Sequence, residues 1–331
     1  MLECIFTIDY EIYGDGEGSL RELAYEPAER LLAVFQKWNA KFVVFVEAAE
    51  LEIIDINGTD PAIDLVKQQI RDFYREGFEL GLHLHPQWYN GRYEKGRWLL
   101  DDREYNLCAL PHERIVQIVE GSLKYLRSVL GKSDFTPLSF RAGNWLFQPT
   151  GIAASVLTEK GIKIDSSVFK GGLQHNHGLD YRPALKNGYY WRFQDDVNVH
   201  DPNGQMIELP TYSVMVPSWK MITAKRVGME RKDPSSPLGG LKKFRRYLDF
   251  SRFWYPLKLD FCRMTLDELT SMMDKVIRED REDPTVFRPI VAIGHTKGLS
   301  DFTTVESFLR FLRERGITIS TFGGVYDRCR Q

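Results

Sequence analysis

The stretch Phe78-Glu79-Leu80-Gly81-Leu82-His83-Leu84-His85-Pro86 decides the fold. It is a short apolar run that turns polar only at its C-terminal end, the pattern of a strand buried on both faces. A helical pattern precedes it, opened by Pro61, running to about Glu76 and stopped by Gly77. Helix, stop and buried strand together make one unit of a parallel sheet, because parallel neighbours need a crossover between them.

The same unit recurs on both sides. Upstream, residues 4–9 (CIFTID) and 41–47 (KFVVFVE) read as strands, with a helix over 26–38 entered at Glu26-Pro27. Downstream come a helix over 111–130 stopped by Gly131, a strand over 138–142, a helix over 149–160 and a strand over 162–166. After a break the rhythm returns with a strand over 258–262, a helix over 266–279, a strand over 289–295, a helix over 303–315 and a strand over 317–321. Seven or eight such units predict an α/β fold of the (β/α) barrel kind, closed or incomplete, rather than an open doubly wound sheet. The break, residues 171–257, is rich in Gly, Pro and aromatics and reads as an insertion or lid within one barrel domain spanning 1–331. A hairpin is expected over 189–209, turned at Pro202-Asn203-Gly204.

The 331 residues are 43% hydrophobic, enough for a large core. With 44 basic against 46 acidic residues, the net charge of -2 gives no global attraction to nucleic acid, and none is expected as partner. Cys4, Cys108, Cys262 and Cys329 form no CxxC pair, so neither a zinc ribbon nor a disulfide framework is expected. The N-terminus enters a strand without a leader pattern, and no run reaches the roughly 18 to 20 apolar residues of a membrane span. A soluble, cytoplasmic protein is the expectation.

Polar residues gather at the predicted strand ends: Asp9, Glu11, His83, His85, Arg141, Asp165, Asp260 and His295. Barrel enzymes build their sites on that rim. The i, i+2 spacing of His83 and His85 puts both imidazoles on one side of the pleat, where they can reach one metal ion or simply bond to backbone. Asp9 and Glu11 share that spacing, and two such carboxylates repel unless a cation or an arginine compensates them.

In family order, five pieces resemble the polysaccharide deacetylases of the NodB-homology (carbohydrate esterase 4-like) superfamily. They are Thr7-Ile8-Asp9-Tyr10-Glu11, Glu79 to Pro86, Arg141-Ala142-Gly143-Asn144-Trp145, Leu259-Asp260-Phe261 and Ile293-Gly294-His295. The His-x-His-Pro motif is similar to a cytoplasmic branch associated with O-antigen and surface-polysaccharide biosynthesis. The resemblance implies a distorted (β/α)7–8 barrel and a divalent metal, zinc first, with Mn2+, Co2+, Ni2+ or Fe2+ as alternatives. It implies Glu11, His83 and His85 as metal ligands, Asp9 as base, Arg141 as its orienting partner, and His295 as acid, held by Asp260. The family's adjacent aspartates are Asp9-Tyr10 here, so Asp9 and Glu11 could exchange roles. The expected activity is hydrolysis of an N-acyl group, acetyl or formyl, on an amino sugar. Another C–N hydrolase acting on a non-sugar amide, and a non-catalytic carbohydrate-binding barrel, are the alternatives. A glycoside hydrolase fits less well, because Asp9 and Glu11 share a strand.

Asp165 could replace Asp260 as orienter or cap a turn. His175 and His177 repeat the i, i+2 spacing in a Gly-rich loop, as solvated histidines or a second metal site. Trp88, Asn144 and Trp145 are expected to contact the sugar, with Trp191 a further candidate; core packing accounts for the tryptophans equally. Residues 220–258 hold eleven basic against three acidic side chains, interleaved with aromatics. Lys242, Lys243, Arg245 and Arg246 are therefore expected to bind the phosphates of a nucleotide-linked or lipid-diphosphate-linked sugar, or to support peripheral membrane contact. A solvated cationic helix is the plain alternative.

Overall fold

A computed structural model describes residues 1–221 and 252–331. In chain order the strands are β1 Leu2–Tyr10, β2 Val43–Glu47, β3 Glu79–Leu84, β4 Arg92–Glu94, β5 Arg97–Leu99, β6 Ser139–Ala142, β7 Ile164–Asp165 and β8 Leu173–Gln174. They continue with β9 Leu179–Asp180, β10 Trp191–Phe193, β11 Met206–Glu208, β12 Ser213–Pro217, β13 Trp254–Lys258, β14 Arg288–His295 and β15 Thr318–Ser320. The helices among the described residues are α1 Glu26–Lys37, α2 Ala48–Asn57, α3 Ile63–Arg75, α4 His112–Leu130, α5 Gly151–Glu159, α6 Leu266–Glu282, α7 Phe302–Glu314 and α8 Phe322–Arg330.

The main sheet runs β10-β11-β7-β6-β3-β2-β1-β14, parallel throughout except for β10. β14 pairs with β1 along its whole length, from Leu2–Arg288 to Asp9–His295. The other edge of β1 is shared, β15 taking Glu3 to Ile5 and β2 taking Thr7 to Tyr10. The sheet curls on itself. Thr211, just past β11, bridges Val291 of β14 and Phe169 after β7. The (β/α) barrel predicted from the alternation therefore forms, distorted at a seam held by isolated bridges instead of a full ladder.

Side-chain alternation divides the core in two. Ile5, Val43, Phe45, Ile164, Ile207 and Val291 cluster inside the curl, with Phe322 and Val325 of α8 packed against them. Helix α8 lies at the end where the strands begin, since Gly323 N donates to Glu79 Oε2. The alternate residues Phe6, Ile8, Tyr10, Val44, Val46, Leu82 and Leu84 pack outward beneath the helices. Counting by twos from Ile5 brings Thr7, Asp9 and Glu11 inside. The same count brings Glu47 from Val43, and His83 and His85 from Gly81, to the opposite, open end.

Three departures from expectation have local causes. The 189–209 hairpin forms, Trp191 facing Glu208 and Phe193 facing Met206, but β11 also pairs parallel with β7 and is a strand of the main sheet. Three residues are too few to carry a periodicity. The expected strand at 258–262 is displaced: β13 ends at Lys258 and pairs with β12, and Asp260 only bridges Ile293. Helices α2 and α8 lack the strong amphipathic stripe that betrays α3, so periodicity missed them; α2 starts directly at Glu47, whose Oε1 accepts from Ala49 N and Glu50 N.

Candidate active site

Four strand ends deliver the buried polar groups. Asp9 and Glu11 leave β1, Glu47 leaves β2, His83 and His85 leave β3, and Arg141 lies on β6; all six are buried. Arg141 has no accessible surface. Its Nη1 donates to Asp9 Oδ1 at 2.5 Å, its Nη2 to Thr7 Oγ1 at 2.9 Å and its Nε to Ser166 O at 3.0 Å. The guanidinium also lies over the Phe45 ring. Asp9 is thereby fixed at one oxygen, and its Oδ2 faces His295 Nε2 at 3.3 Å. Burial alone would raise the Asp9 pKa, but Arg141, His83 and His295 hold it below the usual carboxylate range.

Glu11 is divided the same way. Oε1 takes the Lys297 ammonium at 2.8 Å, and Oε2 lies 3.5 Å from His83 Nε2 and 3.4 Å from His85 Nδ1. Burial opposes ionisation here too, yet Lys297 and the two histidines pull Glu11 well below its ordinary value. His83 Nδ1 donates to Arg141 O at 2.8 Å, and His85 Nδ1 donates to Glu47 Oε2 at 2.8 Å. In that assignment His83 turns its free Nε2 to Glu11, the usual support of a metal-binding histidine, whereas in His85 the nitrogen bonded to Glu47 is also the one nearest Glu11. Gly143 allows this packing, because a Cβ there would come within 2.5 Å of Leu84 O and 2.6 Å of His85 Cδ2.

These residues fit a divalent cation. One donor atom from each of Glu11, His83 and His85 lies within 4.8 Å of the others. Asp9 and Glu11 raise the His83 pKa to about 9 against burial, so the buried imidazole stands in a negative potential that a cation would fill. Asp9, Glu11 and His295 form a second such group, which leaves Asp9 and Glu11 both able to ligate. His175 and His177 are exposed and belong to no such group among the described residues; His177 stacks on Tyr105.

His295 is neutral at pH 7, its pKa lowered to about 4 chiefly by burial. Asp260 does not hold the ring as expected. Its Oδ1 accepts from Cys262 N at 3.0 Å and Arg263 N at 3.1 Å, closing a turn, and His295 Nδ1 has no hydrogen-bond partner among the described residues. Nor does Asp165 replace it: its oxygens accept from Ser167 N and Ser167 Oγ, and its strand neighbour is Glu208.

The rim tryptophans separate. Trp88 and Trp191 are core residues, Trp88 with no accessible surface and packed on Trp98, Trp191 with its indole N–H donating to Val197 O; neither offers a face to a sugar. Trp145 is half-buried and stands edge-on to His295, with ring centroids 6.5 Å apart. Asn144 and Trp145 adopt left-handed backbone angles, φ 55° and 67°, a strained pair at the mouth of the site. Lys242, Lys243, Arg245 and Arg246 lie outside the described residues.

Sequence reasoning missed Glu47, Lys297, Thr296 and Lys258. Glu47 ends an apolar strand just as His85 does, and that position was a usable signal. Thr296 Oγ1 donates to Glu11 O at 3.1 Å, tying the β14 loop to the β1 loop, which no spacing reveals.

No protein-family model matches the sequence, and no curated protein matches it. Solved structures do match, over almost the whole chain. A Mycobacterium smegmatis protein assigned as a polysaccharide deacetylase aligns with TM-score 0.55 and 15% identity, over 99% of this chain and 90% of that one. Puue allantoinase aligns with TM-score 0.50 and 11% identity, over 99% and 89%. A branching enzyme of glycoside hydrolase family 57 from Thermococcus kodakaraensis aligns with TM-score 0.56 and 11% identity, over 98% and 71%. At these identities the likeness is one of fold: the distorted (β/α) barrel of the NodB-type deacetylases, shared by proteins with different names and chemistries.

Proposed function

We propose that this protein is a metal-dependent hydrolase that removes an N-acyl group, acetyl or formyl, from an amino sugar. The observation that carries the reading is the division of labour at β1. Glu11 turns one oxygen to two buried imidazoles, while Asp9 is held by Arg141 with its other oxygen toward His295. The fold likeness to a polysaccharide deacetylase supports it.

Glu11, His83 and His85 would hold the ion, with zinc the first candidate. When bound, such an ion lowers the pKa of water and polarises an acyl carbonyl. Asp9 takes the proton of the attacking water at Oδ2, since Oδ1 is engaged by Arg141. Arg141 keeps Asp9 ionised and aimed. His295, neutral at rest, takes that proton at Nε2 from Asp9 Oδ2, 3.3 Å away, and the imidazolium so formed protonates the leaving nitrogen. Asp260 contributes only its charge. Trp145, half-buried at the mouth, offers the sugar an aromatic face.

In the finer reading, the substrate is a nucleotide-linked or lipid-diphosphate-linked sugar of surface-polysaccharide or lipopolysaccharide biosynthesis, met in the cytoplasm. Lys242, Lys243, Arg245 and Arg246 bind its diphosphate, within a 171–257 lid of a single barrel domain that also touches the membrane surface. The support is the basic, aromatic character of the sequence there. Among the described residues no helix is long and apolar enough to cross a membrane. A non-sugar amide would suit the same side chains, and allantoinase shares the fold.

The test is acid release from a panel of nucleotide-linked N-acyl sugars, comparing the wild type with His83→Ala alongside their metal content. Loss of both metal and acid release in His83→Ala is expected. Equal release by both proteins would sink the mechanism.

A further inference from the structure

Lys258 ends β13 with its ammonium over the Trp145 ring, and nothing in the mechanism uses it. Its ammonium lies 4.1 Å from the centroid of the Trp145 ring and 4.7 Å from that of Phe169. Those two rings meet edge to face at 5.3 Å, and Trp145 in turn stands edge-on to His295. The lysine is half-buried, as are Trp145 and His295, whereas Asp9, Glu11, His83 and Arg141 beneath them are buried. Lys258 therefore stands at the entrance to the reacting groups.

Among the described residues its charge has no anionic partner in contact. The other cations here are engaged, Arg141 by Asp9 and Lys297 by Glu11. Lys258 has no ion pair and donates no hydrogen bond among the described residues, only two aromatic faces. Aromatic rings satisfy part of an ammonium's electrostatic demand but none of its three N–H donors. Burial lowers its pKa to about 8, which still leaves it charged at neutral pH. Asp260 and Asp9 also favour its charged form, but Asp260 is taken by its turn at Oδ1 and by Arg263 at Oδ2, and Asp9 by Arg141 at Oδ1 and His295 at Oδ2.

We infer that Lys258 binds an anionic substituent of the substrate, a carboxylate or a phosphate, held against the Trp145 indole beside the scissile bond. The inference rests on the hydrolase reading for the position of the scissile bond. It adds that the sugar residue being deacylated is itself acidic or phosphorylated. A sugar face on Trp145 would present a ring substituent to the ammonium. There a negative charge completes a pair in a partly desolvated site, whereas a neutral hydroxyl leaves the ammonium uncompensated.

Equilibrium binding by thermal-shift titration of the full chain tests this without turnover. Three probes serve: N-acetylglucosamine, its 6-carboxylate and its 6-phosphate. Wild type is expected to bind at least one anionic probe about tenfold more tightly than the neutral one. The arm that binds tighter tells carboxylate from phosphate. Lys258→Met, which keeps the apolar stem on the rings, is expected to lose that preference while neutral binding changes by less than about twofold; Lys258→Arg is expected to retain it. Should Lys258→Met fail to fold, Lys258→Gln takes its place. No preference in wild type, or a preference that survives in Lys258→Met, overturns the inference. So does a parallel loss for all three probes, which would mark the lysine as a packing element. Acid release is measured separately, so a failed hydrolase reading shows as no release from any probe and leaves the binding result readable.

Discussion

Replacing Lys297 with methionine removes the cation that faces Glu11 at 2.8 Å and also donates to Ile12 O at 3.1 Å. At that separation, with an effective dielectric constant of about 20, the gross attraction is about 6 kcal/mol. Desolvation of both charges offsets much of it, and breaking one side of a buried pair typically costs about 3 to 5 kcal/mol. Because the Lys297 side chain is 18% exposed, the lower end applies, about 3 kcal/mol. Spread over the unfolding entropy of a chain this size, that is a fall in Tm of about 4 °C. A divalent ion on the other oxygen of Glu11 would supply positive charge in place of the lysine. The expected outcome is a fall of that size in chelator-treated protein and less than half of it with excess zinc. The variant thus gains more from metal than the wild type does. Thermal unfolding with and without chelator reads both numbers. An equal fall under the two conditions would refute the placement of a cation at Glu11, and no fall in chelator would refute the electrostatic account of Lys297.

Other perturbations probe separate parts of the site. Glu47→Gln keeps an oxygen for the amides of Ala49 and Glu50 but removes the carboxylate on His85 Nδ1; metal affinity is expected to drop about 10- to 100-fold in chelator competition, and unchanged affinity would show that the contact is only structural. For His295→Asn, kcat for acid release is expected to fall about 10²- to 10³-fold with KM little altered, and a pure KM effect would remove His295 from proton transfer. Glu208 is pushed well above the usual carboxyl range by burial and by Asp165, so it is protonated when folded and ionised when unfolded above pH 4.5. Its contribution to stability is complete below that value and is lost as pH rises toward the folded pKa, by up to about 1.4 kcal/mol per pH unit. Urea unfolding of Glu208→Gln between pH 5 and 8 should show a flatter decline than wild type; an identical slope would place the proton elsewhere.

Much of this protein was written along its chain. Local runs such as Phe78 to His85 and Val43 to Glu47 carry strand, polarity and parity together, because a residue's neighbours at i±2 decide which side of the sheet it faces. That is why Asp9, Glu11, His83, His85, Arg141 and His295 are legible in the sequence as one rim. Partnership was not legible there. Lys297 meets Glu11, and Thr296 binds its carbonyl, across more than 280 residues, through a pairing of β14 with β1 that no periodicity encodes. Tertiary structure also reassigned residues whose type fitted two roles: Asp260 went to a turn, Trp88 and Trp191 to the core, and Met206–Glu208 to the main sheet. Alternation fixes the face a side chain presents. Only the closing of the sheet decides what stands opposite it, and that settled Asp9 on Arg141 and His295 and left Lys258 over Trp145.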